Sequence, residues 1–82
     1  MYCKSYSFVR NEERNGVLKS VVWCEIYADT TPSPLPADAS GLDNFPKSFN
    51  PQSVVFAPSS VLYVIDGGAL YLADSTGAWI QQ

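Results

Sequence analysis

No histidine occurs in the 82 residues. The commonest general base and the commonest metal ligand are therefore missing. Ser-His-Asp and Cys-His catalytic arrangements are excluded outright. Charge is scarce, at 16% of residues against a usual ~25%. The basic residues Lys4, Arg10, Arg14, Lys19 and Lys47 form no run, and the net charge is −3. Nucleic-acid binding needs clustered Lys and Arg, so none is expected. No apolar run is long enough to predict a membrane-spanning helix. The opening Met1-Tyr2-Cys3-Lys4-Ser5-Tyr6 lacks the basic stretch and apolar core of a signal peptide. The expected location is a cytoplasm, or a larger particle that carries the chain out of the cell.

Cysteine is limited to Cys3 and Cys24. Two thiols without histidine make a poor zinc site. A nucleophilic thiolate needs a base, a cation or a helix N-terminus beside it. Lys4 follows Cys3 but points to the other face of a strand. Both cysteines are read as packing residues, with free thiols favoured over a disulfide. No cofactor, metal or catalytic residue is implied.

What the chain does have is β-forming sequence. Residues 2–10 and 17–28 read as strands, because the second run, VLKSVVWCEIYA, is rich in β-branched and aromatic residues and has no helix cap. A helix is the runner-up for that run. Asn15-Gly16 between them is a strong hairpin signal, since both residues tolerate positive φ. A turn there pairs Arg14 with Val17, Phe8 with Trp23 and Ser7 with Cys24. A loop centred on Glu13-Arg14 would instead place Cys3 opposite Cys24. A bulged loop would swap the faces of one strand. Alternation assigns Leu18, Ser20, Val22, Cys24, Ile26 and Ala28 to the core face. Trp23 and Tyr27, with Tyr2 and Tyr6, form either an aromatic patch or a bed for the segment that follows. The second reading is preferred, because a long loop needs something to lie on.

That segment carries Pro32, Pro34, Pro36, Pro46 and Pro51. Proline removes a backbone donor and holds its neighbour extended. Leu35, Leu42, Phe45 and Phe49 are anchors that a solvated linker would not need, so an ordered wrap over one sheet face is expected. Beyond it, residues 61–65, 69–73 and 78–80 read as strands separated by Asp66-Gly67-Gly68 and Asp74-Ser75-Thr76-Gly77. With Gly67-Gly68 as the turn, Val64 faces Tyr71 and Tyr63 faces Leu72. One face then carries Val61, Tyr63, Ile65, Leu70 and Leu72. The other carries Leu62, Val64, Tyr71 and Ala73. Both faces are apolar, so one cover is expected from the rest of the chain and the other from a partner subunit.

The C-terminal residues are similar to a pattern found in a group of small uncharacterised proteins. Pro34-Leu-Pro-Ala-Asp-Ala-Ser-Gly-Leu-Asp43 is followed by Phe56-Ala-Pro-Ser-Ser-Val-Leu-Tyr-Val-Ile-Asp66, then by Gly68 to Leu72 and by Gly77-Ala-Trp-Ile80. Over about the last 50 residues this resembles small proteins encoded in bacteriophage and prophage structural-gene regions of gut bacteria. Ser59-Ser60 stands where Gly-Ser is more usual, and the N-terminal hairpin has no counterpart. The resemblance implies a non-enzymatic virion or virion-assembly component, with no catalytic residues to carry over.

The expected fold is all-β: two antiparallel hairpins plus a short C-terminal strand, joined by a long Pro-rich extended segment. The single domain 1–82 divides into an N-terminal hairpin (1–29), the wrap (30–53) and a C-terminal meander (54–82). The expected function is a phage or prophage structural protein acting through protein–protein contact, with a small carbohydrate-binding module as the alternative. The expected partners are further copies of the chain or other virion proteins, with no nucleic acid and no membrane. The candidate interface residues are Tyr6, Trp23, Tyr27, Leu62, Tyr71 and Trp79.

Overall fold

Six strands build one mixed sheet in the computed structural model, which describes every residue from Met1 to Gln82. They are β1 (Tyr2–Arg14), β2 (Val17–Ala28), β3 (Val54–Phe56), β4 (Val61–Val64), β5 (Leu70–Ala73) and β6 (Trp79–Gln81). The order is β1-β2-β4-β5-β6, and β3 lies beside β2 ahead of β4. The protein is all-β, as its strand-rich composition predicts. The two hairpins are not independent, however. Both β3 and β4 run parallel to β2 and fuse them into one sheet.

Asn15 and Gly16 form the tip of the first hairpin, with φ of 52° and 77°, and Arg14 pairs with Val17. Beyond Arg10 the expected register fails. Phe8 pairs with Val22 and Ser7 with Trp23, not with Trp23 and Cys24. An irregularity between Phe8 and Arg10 shifts the strand by one residue, and another between Cys3 and Ser5 shifts it again. A one-residue shift exchanges faces. Tyr6 and Phe8 therefore turn to the core side of the sheet. Cys3, beyond the second shift, pairs with Ile26.

The wrap lies on that same side. Phe49 stacks on Phe8 with ring centroids 5.9 Å apart, and Tyr6 meets Phe45 at 6.0 Å and Phe49 at 6.4 Å. Leu42 and Ala39 are buried in the core, and Leu35, Phe45 and Phe49 pack against it. Asp43 also joins the free side of β1: its N–H donates to the Met1 carbonyl at 2.8 Å, and its carbonyl accepts from the Cys3 N–H at 2.9 Å. The rest of the core comes from Val22, Cys24 and Ile26 of β2, Phe56 of β3, Leu62 and Val64 of β4, and Tyr71 and Ala73 of β5.

The β4–β5 turn is wider than a Gly67-Gly68 hairpin. Val61 pairs with Leu72, Leu62 with Tyr71 and Tyr63 with Leu70. The cause is visible in the backbone. Ile65 and Asp66 still donate to the carbonyls of Ala28 and Asp29, at 2.9 and 3.0 Å. The chain follows β2 for two residues more before it reverses. The register moves by two, so the predicted faces are kept.

Candidate functional site

The face of the sheet turned away from the wrap is open around β4, β5 and β6, whereas at its other end Val21 is buried and the turn at Gly77 packs against Val55. Strand register lays its side chains out in rows. Tyr2 of β1 stands beside Tyr27 of β2, which stands beside Tyr63 of β4, which stands beside Leu70 of β5. The next row runs Ser5, Glu25, Val61, Leu72, Ile80. Tyr2 is 49% exposed, Tyr63 38%, Leu70 37% and Ile80 51%, and Ile65 adds another 51% at the end of β4. These residues leave on the order of 500 Å² of largely apolar surface, at the upper end of what a monomer usually shows.

A small polar group borders the patch. The Tyr27 hydroxyl donates to Glu25 at 3.0 Å, and the Ser5 hydroxyl reaches the other carboxylate oxygen at 3.3 Å. Lys4 lies 3.7 Å from Glu25, with its ammonium 5.6 Å from the Tyr27 ring centre. The Tyr27 hydroxyl, and after it the Glu25 charge, hold the Lys4 ammonium above its ordinary pKa. Tyr27 and Tyr63 meet edge to face, with centroids 6.1 Å apart and planes at 72°. Ser5, Tyr27, Glu25 and Lys4 are engaged with one another, so the patch presents hydrocarbon, ring edges and the Tyr63 hydroxyl, with one ion pair at its rim.

The expected interface residues divide. Tyr27 belongs to the open face. Trp23 lies on the same side farther along β2, half-buried, its ring N–H donating to the Ser59 carbonyl at 3.0 Å. Tyr6 lies on the opposite side, in contact with Phe45 and Phe49 of the wrap yet still 49% exposed. Trp79 packs on Phe56 at 5.0 Å and donates to the Pro36 carbonyl at 2.8 Å. Leu62 and Tyr71 are corrected: they are 0% and 9% exposed and form the core of the chain. The meander has two apolar faces, and the wrap covers the one bearing Leu62 and Tyr71. Sequence reasoning therefore missed Tyr63, Leu70, Leu72 and Ile80 as surface residues. Alternation had placed Tyr63, Leu70 and Leu72 on one face, but nothing polar distinguished that face from the other.

A concavity of about 260 Å³ lies in the wrap, lined by Leu42, Phe45 and Phe49 with Lys47 and Ser40 among the polar groups. Cys3 and Cys24 are free and buried. Burial pushes both thiols up, that of Cys24 to about 12. They are neutral at ordinary pH and poor nucleophiles. No three His, Cys, Asp or Glu side chains gather in a way that could hold a metal ion. No helix is long and apolar enough to cross a membrane. Comparison with protein-family models, with curated proteins and with solved structures finds no match to this chain.

Proposed function

We propose that the chain is a non-enzymatic component of a phage or prophage particle, or of its assembly, acting through protein–protein contact. The observation that carries this reading is the open sheet face. Tyr63, Leu70, Leu72, Ile80 and Ile65 form an apolar surface on the side away from the wrap, and the wrap meets its margin only at Tyr2, whose hydroxyl accepts from the Asn44 side chain at 3.1 Å. Removing such a surface from water favours association by roughly 25 cal/mol per Å² before the costs of ordering are subtracted. The resemblance of residues 34–80 to phage structural-region proteins supplies the context.

The face suits a protein partner better than a sugar. A sugar platform needs an exposed ring face beside free polar groups. Here the Tyr27–Tyr63 pair is edge to face, Glu25 and Lys4 satisfy each other, and both tryptophan N–H groups are held by backbone carbonyls. The test is co-sedimentation. Particles banded from the induced native host should carry the chain, and a Leu70→Lys, Tyr63→Lys variant should be lost from them while remaining folded. A chain found only in the soluble fraction contradicts the reading.

A further inference from the structure

The main path of the sheet ends in two outer strands, β1 and β6, and they are protected very differently. β1 carries Lys4, Arg10, Glu12, Glu13 and Arg14, two register irregularities, and Asp43 bonded against its first residues. Charges, bulges and covering segments are the usual means of keeping a sheet edge from pairing with another chain. β6 has neither charge nor bulge, and the wrap meets it at the Trp79 ring, whose N–H donates to the Pro36 carbonyl. Ala78 to Gln82 contains no charge, no proline and no bulge, and within the sheet β6 borders only β5.

The backbone of β6 has a definite polarity. The Ala78 carbonyl accepts from the Asp74 N–H at 2.8 Å, and the Gln82 N–H donates to the Leu70 carbonyl at 2.9 Å. Residues that exchange hydrogen bonds with one neighbour alternate along an antiparallel strand. Ala78, Ile80 and Gln82 therefore face β5, and the N–H and C=O groups of Trp79 and Gln81 point to the open edge.

We propose that two copies of the chain pair edge to edge through β6, antiparallel, about a twofold axis at Ile80. Trp79 then exchanges backbone hydrogen bonds with the partner's Gln81, and Gln81 with the partner's Trp79. Ile80 stands opposite the partner's Ile80 in the closer, non-hydrogen-bonded kind of pair, with Cα atoms about 4.5 Å apart. No like charges meet. The arrangement is isologous, as a twofold contact requires. The row Val61, Leu72, Ile80 continues into its own mirror sequence on the second copy, so the two open faces become one larger apolar surface. A strand of three residues offers a small contact. The pairing is therefore weak and concentration-dependent. The inference rests on the protein-contact reading and names a second copy as one partner.

Two measurements test it on the whole chain. The first is oxidative crosslinking of Ile80→Cys, with Gln81→Cys as the control. The native thiols are buried and stay out of the reaction. Ile80→Cys should give a covalent dimer, because opposed residues of such a pair lie within disulfide reach. Gln81→Cys should crosslink about tenfold less, because its opposite number is the partner's Trp79 and its own mate is displaced along the edge. The second is the solution mass of Gln81→Pro. This change deletes an outward N–H and leaves the β5 ladder intact. It should weaken association about tenfold or more with an unchanged circular dichroism spectrum. Equal crosslinking at both positions, or none at Ile80→Cys, overturns the proposal. So does association unaffected by Gln81→Pro. Either failure concerns the edge alone, and particle co-sedimentation tests the contact reading separately.

Discussion

Ser60 accepts the backbone N–H of Cys24 on its hydroxyl oxygen at 3.0 Å, in a fully buried site. This bond fills a gap in the sheet. β3 accompanies β2 from Ser20 to Val22, and β4 accompanies it from Glu25 to Ala28. Between them the chain turns through Ala57 to Ser60, and no strand serves Cys24. The Ser60 side chain stands in for the missing carbonyl. Its neighbour Ser59, at φ 68°, accepts from the Trp23 ring N–H.

Ser60→Ala should therefore leave a buried N–H without a partner. The expected loss of unfolding free energy in urea is about 1–3 kcal/mol. Ser59→Ala should lose less, because the Ser59 group that Trp23 uses is its backbone carbonyl, which alanine keeps.

The thiols report on the same core. Native protein should react with a thiol reagent at neither cysteine on the timescale of minutes, and at both once unfolded in denaturant. The pH dependence has a fixed sign. Burial raises the Cys24 pKa from its ordinary 9.0 to about 12. The neutral thiol is favoured in the fold, so this contribution is complete below pH 9 and is lost as pH rises toward 12. Thermal melts should show an alkaline fall in Tm that is reduced in Cys24→Ala, measured relative to that variant's own value at pH 7.

Asp74 organises the turn that delivers β6. Its carboxylate accepts from the Thr76 hydroxyl at 2.6 Å, the Thr76 N–H at 2.8 Å and the Ala78 N–H at 3.0 Å. These bonds, led by the Thr76 hydroxyl, hold its pKa below the ordinary 3.8. The carboxylate's contribution is present above that value and is lost as pH falls through the lower folded-state one. Asp74→Ala should increase hydrogen exchange at Ala78 and Gln82 at neutral pH, with little change at Val22 or Ile26. Uniform exchange across all four amides would contradict a local role.

The open face should be separable from the fold. Tyr63→Lys and Leu70→Lys place charge on residues 38% and 37% exposed. Each should change stability by less than about 1 kcal/mol, while association through this face falls. Leu62→Ala, on the opposite side of the same strand and fully buried, should lose about 2–5 kcal/mol. Similar melts for Tyr63→Lys and Leu62→Ala would mean that the faces are misassigned.

Much of the fold is legible in the residues themselves. Asn15-Gly16 locates the first turn, and alternation identifies Val22, Cys24, Ile26 and Ala28 as the buried side of β2, but it also assigns Leu18 there, which is 65% exposed at the hairpin tip, and it misses Val21, which is buried on the other side. Apolar anchors such as Leu42 and Phe49 distinguish a wrap from a linker. What is not legible depends on long-range pairing. The irregularities near Lys4 and Val9 leave no local signature, yet the one near Val9 decides that Phe8 meets Phe49 and the one near Lys4 that Cys3 pairs with Ile26. β3 is only three residues long and pairs in parallel with a strand over thirty positions earlier, so no turn chemistry announces it. The candidate site suffers most. Leu62 and Tyr63 are equally apolar neighbours, and only the position of the wrap decides which is core and which is surface.

The proposed contact role begins with pairing of two copies through β6. Its most direct test is solution mass by light scattering over a wide concentration series. The mass should rise from the 9.0 kDa of one chain toward twice that value, with the rise suppressed in Gln81→Pro. A mass fixed at 9.0 kDa up to the highest concentration, for the unaltered chain, would contradict self-association through β6.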